Sequence, residues 1–353
     1  MAVSPRVPTL KDVAELAGVH VATASRALSN AQSHLVNEAT REKVSSAAAE
    51  LGYRTNALAR SLRRGASGTL GVVVADLANP FIVNLVRGIE QETRPKDLLP
   101  LIVETRDDPA RLRSTVQQLL YSRVDAIILA AAHLSDAEYV ADLAGQLPVV
   151  LAVRGFDEQG PTGGSLLEVM QDDLLGTRAA VEHLLHLGHR RLAEIRGPQT
   201  ISSFANRSRG FQEAIAAWPG AEDLSPGLYA AQGDVSEGRR IAAELLAIPH
   251  DSRPTAIFAH NDLLAVGALE ALRDAGLSCP EDLSIVGYND APLVDHLDPP
   301  LTTVRLPSNE IGRQSARLAI AAIDGQTGAA PTRLMLLPEF VQRGSTRSFA
   351  EAA

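Results

Sequence analysis

The chain has 353 residues, more than one hydrophobic core usually holds, so two or three domains are expected. Hydrophobic residues make up 45% of the sequence, a proportion typical of globular proteins, and no apolar run is long enough to cross a bilayer. The single cysteine, Cys279, excludes an intramolecular disulfide and a cysteine-only metal site within one chain. Because the first residues also lack the pattern of a secretory signal, a cytoplasmic protein is expected.

The charges are distributed unevenly along the chain. The formal net charge is −9, yet residues 1–66 contain nine basic and five acidic side chains and therefore carry +4. The remaining residues, with 24 basic and 37 acidic side chains, carry −13. A basic N-terminal segment on an acidic body is compatible with binding to nucleic-acid phosphates, but many unrelated surfaces are equally uneven.

The N-terminal segment has the pattern of short helices. Thr9 is a candidate N-cap with the Asp12 carboxylate in the first turn, and this first run ends at Gly18. A second helix is predicted over about 22–28 and a third from about Asn37 to Gly52. Two short helices joined by a tight glycine-containing turn form the helix-turn-helix pattern.

From residue 69 onwards, short apolar runs alternate with amphipathic stretches. The first runs are Leu70–Val74, Leu101–Val103, Ala126–Leu129 and Val149–Leu151. After the glycine-rich residues 155–164, further strands are expected near 192–195, 256–258 and 283–286. Apolar strands that alternate with helices predict two doubly wound parallel-sheet lobes, with a ligand site between them at the carboxyl ends of the strands.

An ordered series of short motifs carries a more specific resemblance. In the N-terminal part these motifs are Thr9–Ala14, Ala17–Val19, Ala22–Leu28, Val36, Thr40–Arg41, Glu50–Tyr53, Asn56 and Ala59–Leu62. Further along they are Asn79–Phe81, His183–Leu184, Leu187–Arg190, Arg207, Gly210–Phe211, Asn261–Asp262, Val286–Tyr288 and Pro300–Val304. Over residues 9–345 the chain resembles the lactose/galactose repressor family, and the ordered series is far more specific than any single motif.

The resemblance implies an all-α helix-turn-helix headpiece and an α/β core of two doubly wound parallel-sheet lobes, like the periplasmic sugar-binding proteins. It places the headpiece at 1–54, a hinge helix and linker at 55–67, and the effector-binding core at 68–353. The first lobe would comprise about 68–168 and 302–330, and the second about 169–301 and 331–346. A homodimer on a palindromic DNA operator is implied, and the tail after Val341, which lacks leucine heptads, favours a dimer over a tetramer.

The expected base contacts lie at the start of the second helix, which enters the major groove in this motif. Val21 and Ala22 offer apolar contact suited to a thymine methyl group, and Arg26 can form paired hydrogen bonds with a guanine edge. Phosphate contacts are expected from Thr23, Ser25, Asn30 and His34. The alternatives are core packing against Val19 for Val21 and a solvated helix charge for Arg26.

Residues 56–62 resemble the hinge helix of the family. Asn56 belongs to this segment, and Leu62 matches the leucine that wedges into the minor groove and kinks the duplex. Thr55 departs from the pattern, because the family often has proline there, and this weakens the fixed entry to the hinge helix. The alternative for Leu62 is a linker residue that packs on its own core.

Several core residues match the effector pocket of the family. Arg207 matches an arginine whose planar guanidinium holds ligand hydroxyls or carboxylates. Asn261 and Asn289 match polar pocket positions, Arg154 matches a family arginine, and Phe81 lies where the first lobe's helix meets the cleft. These five residues are the expected effector contacts, and a structural role is the alternative for each.

Three departures bear on the effector. Asn289 replaces a frequent aspartate, Val153 stands where an aspartate often precedes Arg154, and Val235 stands where several members have an aromatic residue. They predict a pocket that is less acidic and less aromatic than in many sugar-responsive relatives. The expected effector is a sugar or sugar derivative, and neither a cofactor nor a metal is expected.

Other classes of function are less compatible with the sequence. No Gly-x-Ser-x-Gly, P-loop lysine or His-Glu-x-x-His motif is present, which argues against an enzyme. His183, His186 and His189 have a spacing that metal ligands could use, but they coincide with the family framework. The headpiece argues against a sugar-binding protein alone, whereas an activator of the same family stays open. Effector binding is expected to change the angle between the lobes and thereby the affinity for the operator.

Overall fold

In this computed structural model of the protein, the residues described are 8–28, 35–53, 66–156, 166–225, 227–326 and 332–349. The expected DNA contacts Asn30, His34, Asn56 and Leu62 lie outside them. The chain divides into two compact units, Met1–Ser67 and Gly68–Ala353, and each is described by itself.

The described part of the N-terminal unit contains three helices, α1 (Leu10–Leu16), α2 (Val21–Ala27) and α3 (Glu38–Glu50). Helix α1 begins with a capping box, in which the backbone N–H of Thr9 donates to the Asp12 carboxylate at 2.7 Å. Their small core consists of Val13, Ala14, Ala24, Ala27, Val44, Ala47 and Ala48. Val19 packs against this core, but Val21 lies outside it and is 38% exposed, so the core-packing alternative for Val21 is wrong.

The first lobe of the larger unit is built on a parallel six-stranded sheet. Its strands are β1 (Thr69–Val74), β2 (Leu99–Glu104), β3 (Ala126–Ala130), β4 (Val149–Ala152), β5 (Leu167–Gln171) and β11 (Arg333–Leu336). Their spatial order is β11-β5-β4-β3-β1-β2, and Val72 pairs with both Ile102 and Ile128. Alternate residues of β1 enter hydrophobic clusters on opposite faces of the sheet, which explains the continuous apolar pattern of the inner strands.

Helices cover both faces of this sheet. They are α4 (Phe81–Thr93), α5 (Pro109–Tyr121), α6 (Ala137–Ala144) and α11 (Ser308–Ile323). Helices α4 and α11 approach each other closely at Gly88 and Gly312. A Cβ atom at Gly88 would overlap the carbonyl oxygen of Asn309, and one at Gly312 would overlap that of Leu85. Glycine is therefore required at both positions of this contact.

The second lobe repeats the arrangement with a four-stranded parallel sheet. Its strands are β6 (Arg191–Ile195), β7 (Glu222–Asp223), β8 (Ala256–Ala259) and β9 (Ser284–Val286), in the order β7-β6-β8-β9. Its helices are α7 (Asp173–His186), α8 (Ser202–Ala217), α9 (Val235–Leu246) and α10 (Asp262–Asp274). The two doubly wound lobes predicted from the sequence are confirmed.

Two short antiparallel strands, β10 (Thr303–Arg305) and β12 (Glu339–Val341), lie where the chain passes between the lobes. The predicted lobe limits need correction here. The predicted limits place strand β11, within 331–346, in the second lobe, but it pairs with β5 at the edge of the first sheet. Strand β5 itself runs to Gln171, beyond the predicted limit of 168. A four-residue apolar strand does not show which sheet it joins, because that depends on the path of the preceding helix α11.

None of the helices in the described ranges is long and apolar enough to span a membrane.

Candidate functional site

Helix α2 presents the predicted base-reading side chains to solvent. Val21, Ala22 and Arg26 are exposed, whereas Ala24 and Ala27 on the opposite side are buried in the headpiece core. Arg26 has no acidic partner among the described residues. Thr23 and Ser25, expected at phosphates, are half-buried.

His20 is a feature of this helix that the sequence reasoning missed. It is the N-cap of α2, and its Nδ1 accepts a hydrogen bond from the backbone N–H of Ala22 at 3.2 Å. Histidine is not among the preferred N-cap residues, so propensity gives no signal for this role. The cap fixes the first turn of α2, which carries Val21 and Ala22.

A cavity of about 530 Å³ lies between the two lobes of the core. Its lining includes all five expected effector contacts, Phe81, Arg154, Arg207, Asn261 and Asn289. Phe81 begins α4, Arg207 lies on α8, and the other three follow strands β4, β8 and β9. The carboxyl ends of parallel strands open into this cleft, which is where open α/β sheets bind ligands. This geometry brings the five residues together; their contact with an effector remains a prediction.

Arg207 is almost completely buried and held from several sides. Its Nε donates to Asp173 Oδ1 at 2.9 Å, and its Nη1 donates to the backbone carbonyl of His260. The Tyr288 ring lies below the guanidinium, 3.9 Å from Cζ to the ring centroid. Burial raises the pKa of Asp173, and the charge and hydrogen bond of Arg207 oppose that rise. The fixed guanidinium is a preorganised donor at the cavity wall.

Arg154 is also paired, which the sequence did not predict. Its Nη1 and Nη2 donate to the two carboxylate oxygens of Asp107 at 2.5 and 3.3 Å. Burial alone would raise the pKa of Asp107, but the nearby His133 ring and the charge of Arg154 outweigh it and hold the pKa well below the ordinary carboxyl range. The pair is therefore charged on both sides at neutral pH.

The backbone before Arg154 is strained. Val153 has φ of +70°, and the N–H of Arg154 donates to the carbonyl of Ala152 at 2.7 Å, which makes a tight γ-turn. A positive φ is costly for a β-branched residue and is common at functional sites. The turn aims Arg154 into the cavity.

The side-chain amides of Asn261 and Asn289 differ in their hydrogen-bond partners. Asn261 caps α10 by accepting from the Leu264 N–H at 2.8 Å, and its Nδ2 donates to the Gly233 carbonyl at 2.8 Å. Asn289 has φ of +114°, and its side-chain amide has no hydrogen-bond partner among the described residues. Asn289 is therefore the asparagine that can both donate to and accept from a ligand.

Phe204 and Asp76 also line the cavity and were missed from the sequence. Phe204 stacks on the buried His260 ring, with centroids 6.0 Å apart. It lies three residues before Arg207 on α8, so helical spacing could have placed it on the same face. Asp76 follows β1, and a polar residue directly after an apolar strand was the available signal.

The lining of the cavity contains carboxylates, arginines and aromatic rings. Its carboxylates are Asp76, Glu104, Asp107 and Asp234, and its arginines are Arg106, Arg154 and Arg207. Each of the three arginines already pairs with a carboxylate, Arg106 with Glu104 at 3.1 Å. Asp76 and Asp234 have no cationic partner among the described residues. These acids and Phe204 lie at positions other than 153, 235 and 289, where the sequence departs from the family.

The three spaced histidines serve separate structural contacts. His183 Nε2 lies 3.0 Å from Thr346 Oγ1, and His186 Nδ1 lies 2.6 Å from the Glu182 carbonyl. His189 bonds Thr255 through Nδ1 and the Arg347 carbonyl through Nε2. These contacts match the framework interpretation, because two of the three rings fasten the C-terminal segment.

Comparisons with known sequences agree with this architecture. The bacterial regulatory proteins of the lacI family match residues 9–56, and the periplasmic binding protein-like domain matches residues 181–346. The HTH-type transcriptional repressor CytR of Escherichia coli strain K12 is 34% identical over 342 residues, covering 96% of each chain. The ribose operon repressor of the same strain is 32% identical, covering 96% of this chain and 99% of the relative.

Solved structures of transcriptional regulators have a similar fold. The lac repressor dimer bound to operator and the anti-inducer ONPF has a TM-score of 0.84 at 28% identity, covering 97% of this chain and 100% of that one. The complex of the transcriptional regulator CelR with cellobiose has a TM-score of 0.70 at 32% identity, covering 96% and 99%. Fold and site therefore define a DNA-binding transcriptional regulator with a periplasmic-binding-protein-like core, rather than an enzyme. The chain belongs to the lacI family of bacterial regulatory proteins.

Proposed function

We propose that this protein is a cytoplasmic transcriptional repressor that binds a palindromic operator as a homodimer and responds to a neutral sugar or sugar derivative. One observation carries the proposal: Phe81, Arg154, Arg207, Asn261 and Asn289, from separate segments of the chain, line a single cavity between the lobes. The relatives support the rest, because they include sugar-operon repressors and a dimer bound to operator. The headpiece, linker and core limits, at 1–54, 55–67 and 68–353, belong to the proposal.

Exposed apolar side chains on the first lobe support self-association. Edge strand β2 leaves Leu99 and Ile102 exposed, and α4, which contacts β2, exposes Val83. A monomer would leave these side chains in water, whereas a second copy placed against them would bury them. A dimer would also present two recognition helices, which suits an operator of two inverted half-sites.

The charges in the cavity favour an uncharged effector. A phosphorylated ligand needs unpaired cationic donors, but every arginine in the lining already has a carboxylate partner. Asp76 and Asp234, which have no cationic partner among the described residues, would repel a phosphate and accept hydroxyl hydrogens instead. The Phe204 and Phe81 rings supply apolar faces for the carbon skeleton. A neutral polyhydroxylated ligand satisfies these groups best.

The effector class can be tested by thermal unfolding of the full chain with neutral sugars and with their phosphate esters. A binding sugar at a hundredfold excess over its Kd should raise the melting temperature by about 5 °C, because it binds only the folded state. Its phosphate ester should have no effect. Stabilisation by phosphate esters without stabilisation by the parent sugars would contradict the proposed class.

The DNA contacts can be tested by selecting operators from random duplexes. Arg26→Ala should relax the preference at one base position in each half-site, because a paired contact to guanine is worth about 1–3 kcal/mol. Arg41→Ala is the matched control, since Arg41 is a half-buried headpiece arginine paired with Glu38 on α3. It should leave the selected sequence unchanged. An unchanged preference in the Arg26 variant would remove Arg26 from the base-reading set.

A further inference from the structure

The loop between β6 and α8 links the two lobes at the edge of the cavity. The backbone N–H of Leu134, in the first lobe, donates to the carbonyl of Thr200 at 2.8 Å. The N–H of Gly155, also in the first lobe, donates to Ser202 Oγ at 3.0 Å. His133 completes the contact, with its Nδ1 lying 3.1 Å from Thr200 Oγ1. Three hydrogen-bonded contacts therefore join the lobes within a few residues.

The same loop is fixed to its own lobe by a buried polar network. The N–H of Gly197 donates to Nδ1 of His260 at 3.2 Å, so that nitrogen is unprotonated. Nε2 of His260 then donates to Glu194 at 2.7 Å, and neither side chain has any solvent exposure. Because the base of the loop is rigid, Thr200 at its tip moves together with the second lobe and carries that movement to its contact with the first lobe.

The other nitrogen of His133 faces Asp107, a residue of the cavity lining. His133 Nε2 is buried and has no hydrogen-bond partner among the described residues. Asp107 Oδ1 lies 3.7 Å away, just beyond hydrogen-bond distance. Asp107 in turn holds Arg154, whose guanidinium lines the cavity. A buried ring nitrogen left without a hydrogen-bond partner is costly, so a small movement that closes this gap is favourable.

We propose that His133 is a positioning residue that couples the effector cavity to the contact between the lobes. As the lobes close, Thr200 donates to Nδ1 and Nε2 comes within hydrogen-bond distance of Asp107. This steadies the Asp107–Arg154 pair against the ligand. One neutral tautomer of the ring makes both bonds. The part concerning effector binding rests on the function proposed above, whereas the contact between the lobes does not.

Single-molecule energy transfer within the ligand-free full chain tests the contact. Dyes would be placed at Tyr121→Cys in the first lobe and Asp251→Cys in the second, both highly exposed, in a Cys279→Ala background. Labelled protein is diluted with unlabelled protein so that each dimer carries one labelled copy. Thr200→Val, which removes the hydroxyl and keeps the shape, should change the ratio of closed to open lobes roughly fivefold, as expected for one lost hydrogen bond. Thr200→Ser should match the parent.

His133→Leu should change the ratio at least as much as Thr200→Val, because closure gives His133 bonds to both Thr200 and Asp107. Adding Thr200→Val to His133→Leu should change nothing further, because the contact with Thr200 is already lost. The proposal would be overturned if the effects of the two substitutions on the ratio of closed to open lobes add in the double variant. It would also be overturned if both single variants have the same ratio as the parent. Thr200 is an exposed residue, so its variant remains informative even if His133→Leu unfolds.

Adding D-ribose, D-glucose and cellobiose to the same samples separates the two proposals. Suppose that no sugar changes the ratio of closed to open lobes in the parent, while Thr200→Val still differs from the parent. The sugar assignment then fails and the proposed contact between the lobes stands. If a sugar closes the parent and the Thr200→Val variant with equal affinity, the coupling through His133 is wrong.

Discussion

Arg207 performs two tasks that the sequence could not separate. It lines the cavity, as its motif predicts, and it also neutralises Asp173, which is buried beneath it. The partner was not predictable because Asp173 is 34 residues away and ordinarily reads as a surface acid at the start of a helix. The same holds for Asp107 beside Arg154, which comes from a loop with consecutive positive φ angles at Arg106 and Asp107.

We expect Arg207→Ala to destabilise the core by about 3–5 kcal/mol, because it leaves the Asp173 carboxylate buried without a counter-charge. The paired change Arg207→Met with Asp173→Leu should recover most of that loss, since both charges are removed together. Urea unfolding of the full chain measures both. A double variant no more stable than Arg207→Ala would show that the pair does not carry this energy.

At the level of elements, most helices and strands were predictable because their apolar periodicity is local. The α2 boundaries follow from the Ala24 and Ala27 face, and the β1 and β3 strands from unbroken apolar runs buried on both sides. The position of β11 was not predictable, because the sheet that a short strand joins is set by the helix before it. The exposure of Val21 was likewise decided by the packing of three helices.

The α4–α11 contact gives an element-scale prediction. Gly88→Ala should destabilise the core by about 3 kcal/mol, because the added methyl group would overlap the Asn309 backbone and neither helix can move away without disturbing the sheet. Gly145→Ala is the control, since its Cβ would meet only an ordinary contact and its φ is negative. Denaturant unfolding of the two variants should differ by at least about 2 kcal/mol. Equal stabilities would mean that the two helices can separate freely.

For the molecule as a whole, the C-terminal segment is fastened to the second lobe at the buried ring of His189. His189 bonds Thr255 and the Arg347 carbonyl, and its ring stacks on Phe349 at 5.4 Å. Burial lowers the pKa of His189 to about 4, and the hydrogen bond that its Nε2 donates to the Arg347 carbonyl only partly opposes that shift. The folded protein therefore keeps this ring neutral where an unfolded chain would begin to protonate it.

This shift predicts a loss of stability on acidification. Because the folded pKa lies below the unfolded value of 6.5, the contribution is present above pH 6.5 and is lost as the pH falls towards about 4. The full loss is ~3 kcal/mol. His189→Gln should flatten the dependence of the unfolding free energy on pH in this window, and His250→Gln, at an exposed ring, should not. Identical slopes in all three proteins would contradict the assignment.

The division of the chain into a headpiece and a two-lobed core was predictable because the motifs are ordered along it. What the sequence could not supply is the balance of charge inside the cavity, since the pairing of Arg106, Arg154 and Arg207 exists only after folding. That balance is the basis for expecting a neutral effector. It also makes Asn289, whose side-chain amide has no hydrogen-bond partner among the described residues, a central candidate for ligand specificity.

In the proposed function, a ligand in the cavity controls the affinity of the headpiece for one DNA sequence. Fluorescence anisotropy with the selected operator, at fixed salt, measures this directly in the presence and absence of the stabilising sugar. We expect the sugar to change the operator Kd by about tenfold or more in the parent and to leave it unchanged in the Arg207→Met, Asp173→Leu variant. A sugar that stabilises the parent but does not alter its operator affinity, or a chain that prefers no sequence over random DNA, would contradict the account.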